Sequence, residues 1–275
     1  MVSLHTNTTS IMVQKNLAKA TQGINTAMQQ LTTGYKIISA KDDPANYAIM
    51  KSMEAKLNSW SVAQDNISIG YDMLETASSS AELIYKHISR IRSLCEQACN
   101  GTYGDASVNA IKGEIEGRLE EIQRIRKSTE FNGISIFGTE KGDGEIEAKT
   151  INIQVGIDSS ESSKVSIDTT LRLNGLKDFE SMDITNPETL DKIDEIMSEL
   201  TTYQTKIGAS QNRLEYSLDY VDVMTKNLTS SLSTIRDADI AKASSDLIRY
   251  QILQQACATL LATANQMPAI ALQLL

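Results

Sequence analysis

The sequence predicts a mainly α-helical fold: long antiparallel helical rods in a coiled-coil-like bundle, a small β-hairpin region, and paired N- and C-terminal helices. Apolar or small residues recur at steps of three and four near both ends of the chain, which is the spacing of a coiled-coil face. Aromatic residues make up only 5% of the chain and there are three prolines, a composition that suits long helices. Alternation with period two is confined to the middle, where it indicates short strands.

The first helix is predicted from an apolar face near the amino terminus. This face runs through Val13, Leu17, Ala20, Ile24, Ala27 and Leu31. Gly34 can take the left-handed conformation that ends a helix. Residues 35–47 then form a connector, in which Asp42 and Asp43 are candidate N-caps and Pro44 suits a first helical turn.

Two more helices and a β region follow. The second helix is predicted over residues 44–100 and ends at the turn signal of residues 100–101. The third covers residues 105–128, with Asp105 as its cap and an apolar face at Val108, Ile111, Ile115, Leu119, Ile122 and Ile125. Strands are predicted at residues 134–137, 150–155 and 164–168, with a turn at residues 159–163.

The fourth long helix is predicted to begin at Asn186 and Pro187, which read as cap and first helical residue. It continues to about residue 235 and meets the terminal helix at a weak break over residues 236–239. The terminal face runs through Ile240, Ala243, Leu247, Tyr250, Leu253, Cys257, Leu260, Ala264 and Met267.

The terminal helix has no charged residue after Arg249. A solvated surface helix keeps charges on one face. A membrane span is a poor fit, because several Gln and Asn residues would lie in hydrocarbon and Pro268 interrupts the helix. We therefore expect the whole circumference of this helix to meet protein, either the first helix or other copies of the chain.

The charge and cysteine content exclude other classes of function. A net charge of −9 argues against a nucleic-acid partner. Three cysteines do not form a closed disulfide framework, and we expect Cys95, Cys99 and Cys257 to be small buried side chains. The alternatives are a redox or intersubunit disulfide, and a Cys–His nucleophile or metal pair using His87. Because no orienting group or further ligand is found, we expect no enzyme, cofactor or metal site.

Four segments in order resemble bacterial flagellin. They are LTTGYKIISAKDDPANYAI at residues 31–49, SRIRSLCEQACN at 89–100, the run over 122–133 that ends TEFNG, and the tail from residue 235, which contains ILQQA and ANQ and ends LL. The resemblance covers nearly the whole chain and implies a secreted structural subunit of the flagellar filament. It implies export through the flagellar type III channel, which agrees with the lack of a signal-peptide pattern in the first residues.

The resemblance also implies a division of the chain into five parts. Residues 1–42 and 234–275 would form the inner tube, and residues 43–138 and 187–233 the rods around it. Residues 139–186 would form a small β region in place of large outer domains. The self-assembly residues predicted on the terminal helices are Leu17, Ile24, Leu31, Leu253, Leu260 and Leu261.

The partners implied by the family are further copies of the chain, flagellar cap and junction proteins, and an export chaperone that binds the C-terminal helix. Toll-like receptor 5 is a further candidate, with contacts at positions matching Arg90, Leu94 and Glu114. The alternative is that Arg90 and Glu114 only hold adjacent helices or subunits together. The alternative functions are a hook–filament junction protein and, from a different class, a Cys/His enzyme.

Overall fold

The structure is a computed structural model that describes residues 7–138, 148–173, 175–180 and 183–273. Long helices dominate this part of the chain, which confirms the predicted fold class. The helices are α1 (Thr8–Thr33), α2 (Pro44–Ala98), α3 (Asp105–Ser128), α4 (Gly175–Glu180), α5 (Glu188–Arg236) and α6 (Ile240–Gln273). The strands are β1 (Glu130–Phe131), β2 (Ile134–Ser135), β3 (Thr150–Gln154) and β4 (Lys164–Asp168), with a 3-10 turn at Glu161–Ser163.

The chain divides into two compact units. The first, the terminal unit, comprises Met1–Leu57 and Lys226–Leu275, and the second, the central unit, comprises Asn58–Thr225. The two boundaries between these units fall inside helices α2 and α5. Each of these helices therefore contributes residues to both units. The five-part division by position in a filament remains a prediction.

Two predicted helix ends are confirmed by hydrogen bonds. Gly34 follows α1 with a φ of 73°, and its N–H donates to the carbonyl of Gln30 at 2.8 Å. Asp43 Oδ1 accepts the backbone N–H of Asn46 at 3.0 Å, so Asp43 caps α2 directly before Pro44. These contacts satisfy backbone groups that a helix end leaves without an intrahelical partner.

Three boundary predictions are wrong. The residue before α3 is Gly104, and Asp105 lies inside the first turn, where its charge still favours the helix amino terminus. Helix α2 ends at Ala98, before the predicted residue 100. The predicted interruption at Pro268 is also wrong, since α6 continues to Gln273. A proline removes one backbone donor at a cost of about 3 kcal/mol, which a long helix accommodates near its end.

In the central unit α2 and α5 run antiparallel, which the pairing of their side chains shows. Gln211 donates to Glu75 at 3.2 Å, and Arg92 Nε donates to Asp194 Oδ1 at 2.6 Å. The predicted apolar face of α3 is buried against this pair, apart from the half-buried Val108. The core of the unit includes Ile84, Ile88 and Leu94 of α2, Ile115 and Ile122 of α3, Ile196, Leu200 and Ile207 of α5, and Phe137.

Two antiparallel hairpins cover part of the central unit. The turn between β1 and β2 is Asn132-Gly133, with φ values of 50° and 73°, as a tight hairpin turn requires. Strands β3 and β4 pair from Thr150 with Asp168 to Gln154 with Lys164. The side chain of Ile153 lies against Gly70 of α2, where a Cβ would collide with it. The hairpin prediction is confirmed, although the strand at 134–137 is only two residues long.

Candidate functional site: the paired terminal helices

The face that α1 presents to α6 is the one that the sequence predicts. Ser10, Ala20 and Ala27 are buried. The predicted self-assembly residues Leu17, Ile24 and Leu31 are half-buried on the same face. The spacing of this face is preserved through the whole helix, because a heptad of small and apolar residues keeps one side turned toward the partner.

The face that α6 presents to α1 differs from the predicted one. The residues that turn inward are Ala243, Leu247, Tyr250, Gln254, Cys257, Leu261 and Ala264. Leu253 and Leu260 of the predicted face do not turn toward α1, since they are 45% and 55% exposed. Leu261, a predicted self-assembly residue outside that face, turns inward instead. Steps of three and four fit either phase, and the structure adopts the phase in which Gln254 Nε2 reaches Thr21 Oγ1 at 3.3 Å.

Polar contacts fix the antiparallel pairing at the far end of the helices. Asn7 Nδ2 donates to the carbonyl of Ala264 at 2.7 Å, and Ser10 Oγ donates to Asn265 Oδ1 at 3.0 Å. Asn7 also caps α1, because its Oδ1 accepts the N–H of Ser10. One asparagine therefore ties the start of α1 to the last part of α6.

The near end of the pair is closed by a backbone bridge between the two connectors. The N–H of Lys36 donates to the carbonyl of Arg236 at 2.6 Å, and the N–H of Ala238 donates to the carbonyl of Gly34 at 2.8 Å. Tyr35 and Asp237 are thus paired as in a short antiparallel ladder. Sequence reasoning missed this bridge, because nothing in either connector indicates a partner about two hundred residues away.

Arg236 fastens the same bridge with its side chain. Its guanidinium carbon lies 4.4 Å from the centre of the Tyr35 ring, within cation–π distance. It also contacts Asp237 at 3.2 Å and Glu54 at 3.7 Å. Hydrogen bonds from Ser233 and from Arg236 hold the pKa of Asp237 below its ordinary value. Arg236 was not among the predicted site residues.

Pairing leaves apolar side chains on the outside of both terminal helices. On α1 they are Ile11, Met12 and Met28, and on α6 they are Ile240, Ile248, Ile252, Leu253 and Leu260, each at least 45% exposed. We call these eight residues the outer apolar face. The described side chains of α6 beyond Arg249 include no charge. An apolar surface of this kind is suited to burial against another protein surface.

The candidate receptor residues lie together in the central unit. Arg90 Nε on α2 is 3.3 Å from Glu114 Oε1 on α3, so the pair bridges two helices. Arg118, and then Arg90, lower the pKa of Glu114 by hydrogen bonding. Leu94, by contrast, is 2% exposed and belongs to the core. The structure thus leaves only the two charged residues open to direct contact.

The three cysteines are free thiols. Burial, and the neighbouring Cys99, raise the pKa of Cys95 to about 12, so its reactive thiolate is scarce at neutral pH. Cys99 Sγ lies 3.7 Å from the carbonyl of Ile184, and Cys257 is buried in the face that α6 presents to α1. These environments are those of packed side chains.

Metal-ion binding and membrane crossing each need a structural feature that the described residues lack. No group of three His, Cys, Asp or Glu residues is arranged to hold a metal ion there. None of the helices in that part of the chain has the length and hydropathy that a membrane crossing needs.

Comparison with known proteins gives one consistent family. A family model described as the bacterial flagellin N-terminal helical region matches residues 4–141, and one for the C-terminal helical region matches residues 190–275. The flagellin of Halalkalibacterium halodurans is 32% identical over 253 residues, covering 90% of each chain. The flagellin of Bacillus subtilis is 31% identical over 277 residues, covering 90% of this chain and 91% of that one.

A solved structure shares the fold. It is a protein of Vibrio parahaemolyticus assigned as a flagellar hook-associated protein, and it aligns with a TM-score of 0.57. The alignment covers 71% of this chain and 100% of that chain at 15% identity.

Proposed function

The chain belongs to the bacterial flagellin family and is a structural subunit that polymerises into a flagellar filament, and we propose that its paired terminal helices carry out that polymerisation. The observation that carries this proposal is the outer apolar face of α1 and α6. Eight large apolar side chains remain exposed after the two helices have paired. Contact with further copies of the chain would remove this surface from water.

The absence of charge on the end of α6 supports the same proposal. Residues after Arg249 include only apolar, small and amide or hydroxyl side chains. An ionised side chain buried in a subunit interface costs several kcal/mol unless it is paired. A helix surrounded by neighbouring subunits would therefore dispense with charges on every side.

Within this proposal the parts of the chain have distinct places in the filament. Residues 1–42 and 234–275 form the inner tube, residues 43–138 and 187–233 the rods outside it, and residues 139–186 a small outer region. The subunit works outside the cell after flagellar type III export. Cap and junction proteins, and an export chaperone at the C-terminal helix, are its further partners.

The relatives favour the filament over the hook–filament junction. The 32% and 31% identical proteins are flagellins that match this chain over nine-tenths of both lengths. The hook-associated structure, at 15% identity, supports a common fold alone. Flagellins are a structural family, so a catalytic role for the cysteines has no support from family membership.

The direct test is the variant Leu260→Glu. Leu260 is 55% exposed in the single chain, so the charge should leave the subunit folded. In a filament the carboxylate would be buried in an apolar contact, and we expect polymerisation to fail in sedimentation and electron microscopy.

The matched control is Leu83→Glu. Leu83 lies on α2 in the central unit and is 49% exposed. This control introduces the same charge at a similarly exposed leucine, and its filaments should form. Filaments of normal length from Leu260→Glu would show that the outer apolar face is not an assembly surface.

A further inference from the structure

One close contact breaks the regularity of the α1–α6 pairing. Tyr250 of α6 packs over Gly23 of α1, and a Cβ built at Gly23 would lie 2.7 Å from Cδ1, Cδ2 and Cε1 of the ring. Three equal distances place that Cβ above the face of the ring. Carbon atoms in contact need about 3.5 Å, so no side chain can occupy position 23 while the ring keeps this place.

The ring cannot yield by a small movement of its tip. Cδ1 and Cδ2 are the ring atoms next to the helix, so relief requires the whole ring to turn. Its neighbours also restrain it. The Arg249 guanidinium lies 4.9 Å from the ring centre and is held by Asp246 at 2.9 Å. One turn further, Gln254 is hydrogen-bonded to Thr21 across the pair.

The remaining buried contacts of the pair define its register poorly. Apart from Ser10 at the start of α1, the buried positions are Ala20 and Ala27 on α1, and Ala243, Cys257 and Ala264 on α6. They are small and recur at multiples of seven residues. A slip of one heptad would therefore bring one small side chain opposite another with little change in their packing, although it would break the polar contacts at the ends of the pair. Such a repeat needs one distinct contact to specify a single register.

The contact of Tyr250 with Gly23 is distinct in this way, because it fits in one register only. A heptad slip would place the ring against Asn16 or Gln30, whose side chains extend well beyond a Cβ. We propose that Tyr250 on Gly23 is the register-determining contact of the terminal helix pair, and that this α6 accepts only an α1 with glycine at position 23. The inference rests on the proposed role of the pair in polymerisation.

The test combines Gly23→Ala with a compensating change. Alanine raises intrinsic helix propensity, so propensity alone predicts better assembly. If Tyr250 on Gly23 sets the register, Gly23→Ala should assemble less well. The subunit concentration needed for polymerisation should rise about tenfold or more, as for overpacked sites. In the double variant Gly23→Ala/Tyr250→Ala the collision is gone. The subunit concentration that it needs for polymerisation should therefore lie within about threefold of the concentration that Tyr250→Ala alone needs.

Gly113→Ala is the matched control. Gly113 lies in α3, and a Cβ there meets nothing within 4 Å, so assembly should be unchanged. Gly23→Ala filaments that form at the normal concentration would overturn the inference. A double variant as defective as Gly23→Ala would also overturn it, since glycine would then be needed for some other contact.

Register itself is measured by disulfide cross-linking in the full chain. With Tyr250 in place, the variant Thr21→Cys/Gln254→Cys should cross-link. The variant Thr21→Cys/Leu261→Cys, whose second cysteine is one heptad away, should not. Adding Tyr250→Ala should allow both cross-links, and continued restriction to the first would contradict the inference. Failure of the proposed function gives a different result. If the terminal helices did not carry out polymerisation, Leu260→Glu would form filaments, with glycine or with alanine at position 23.

Discussion

Arg90 and Leu94 lie one turn apart on α2, yet the structure gives them different environments. Arg90 reaches across to Glu114 at 3.3 Å with its side chain 47% exposed. Leu94 packs inside the core at 2% exposure. A receptor that binds this surface could touch the arginine directly, while the leucine could affect binding only by keeping the helices in place.

Two substitutions separate these roles. Leu94→Ala should lower the free energy of unfolding of the central unit by about 2–5 kcal/mol, because it leaves a cavity. Arg90→Ala should leave that free energy near the parent value, since exposed ion pairs contribute little, and should weaken binding to a purified Toll-like receptor 5 ectodomain. Urea denaturation and a binding titration measure the two effects. Unchanged receptor binding by Arg90→Ala would leave the pair a purely structural bridge.

The sequence predicts the role of a single residue where that role is set by its neighbours in the chain. The left-handed Gly34 and the cap Asp43 are correctly predicted, because turn and cap preferences depend on local backbone geometry. Gly23 was missed. Its importance comes from a ring on another helix, and a glycine within a helical pattern gives no sign of what approaches it.

The connector between α1 and α2 shows how one carboxylate orders an element. Asp42 Oδ2 accepts the backbone N–H groups of Ile38 and Ser39, at 3.2 and 2.9 Å, and the Ser39 hydroxyl at 3.0 Å. The hydrogen bonds from the Ser39 backbone and hydroxyl lower the pKa of Asp42 from its ordinary 3.8. The connector therefore depends on the ionised form of this residue.

The pH dependence follows from the direction of that shift. A carboxyl group with a lowered folded-state pKa stabilises the fold above its ordinary pKa, and the contribution is lost as the pH falls below about 4. In hydrogen exchange, the amides of Ile38 and Ser39 should be better protected in the parent than in Asp42→Asn at pH 6. The difference should become smaller at pH 3, because the pH is then approaching the lowered folded-state pKa of Asp42. A difference of equal size at both values would contradict the role of the ionised carboxylate.

Helix existence is predictable from the sequence, but the phase of α6 is not. Steps of three and four accommodate either Leu253 and Leu260 or Gln254 and Leu261 on the inner face. Hydrophobicity favours the first pair, whereas the structure turns the second pair inward. Tyr250, Cys257 and Ala264 turn inward in either phase, so the choice depends on contacts that other positions make with α1, such as that of Gln254 with Thr21. Single-helix periodicity does not contain that information.

For the whole molecule, the two units bury apolar surface by different means. The central unit has a continuous core of large aliphatic side chains drawn from three long helices and the hairpins. In the terminal unit, the buried positions of the α1–α6 pair are one serine, four alanines and one cysteine. Small buried side chains remove little apolar area from water, which supports the proposed burial of this pair against other copies of the chain.

The sequence alone predicts this division in outline, because the ends of the chain carry matched helical faces and few charges. It does not predict the bridge between Tyr35 and Asp237, or the way Arg236 fastens it. The bridge joins segments far apart in the chain through backbone atoms, and the Arg236 side chain reaches Tyr35 and Glu54 across the same distance in sequence. No residue pattern identifies such contacts.

The most direct measurement is negative-stain electron microscopy of the full chain and of a chain lacking residues 1–42 and 234–275, each after addition of a precipitant that promotes polymerisation. We expect long filaments from the full chain and none from the shortened chain. Long filaments from the shortened chain would contradict the claim that the terminal helices build the filament, and short rings from the full chain would indicate a junction protein.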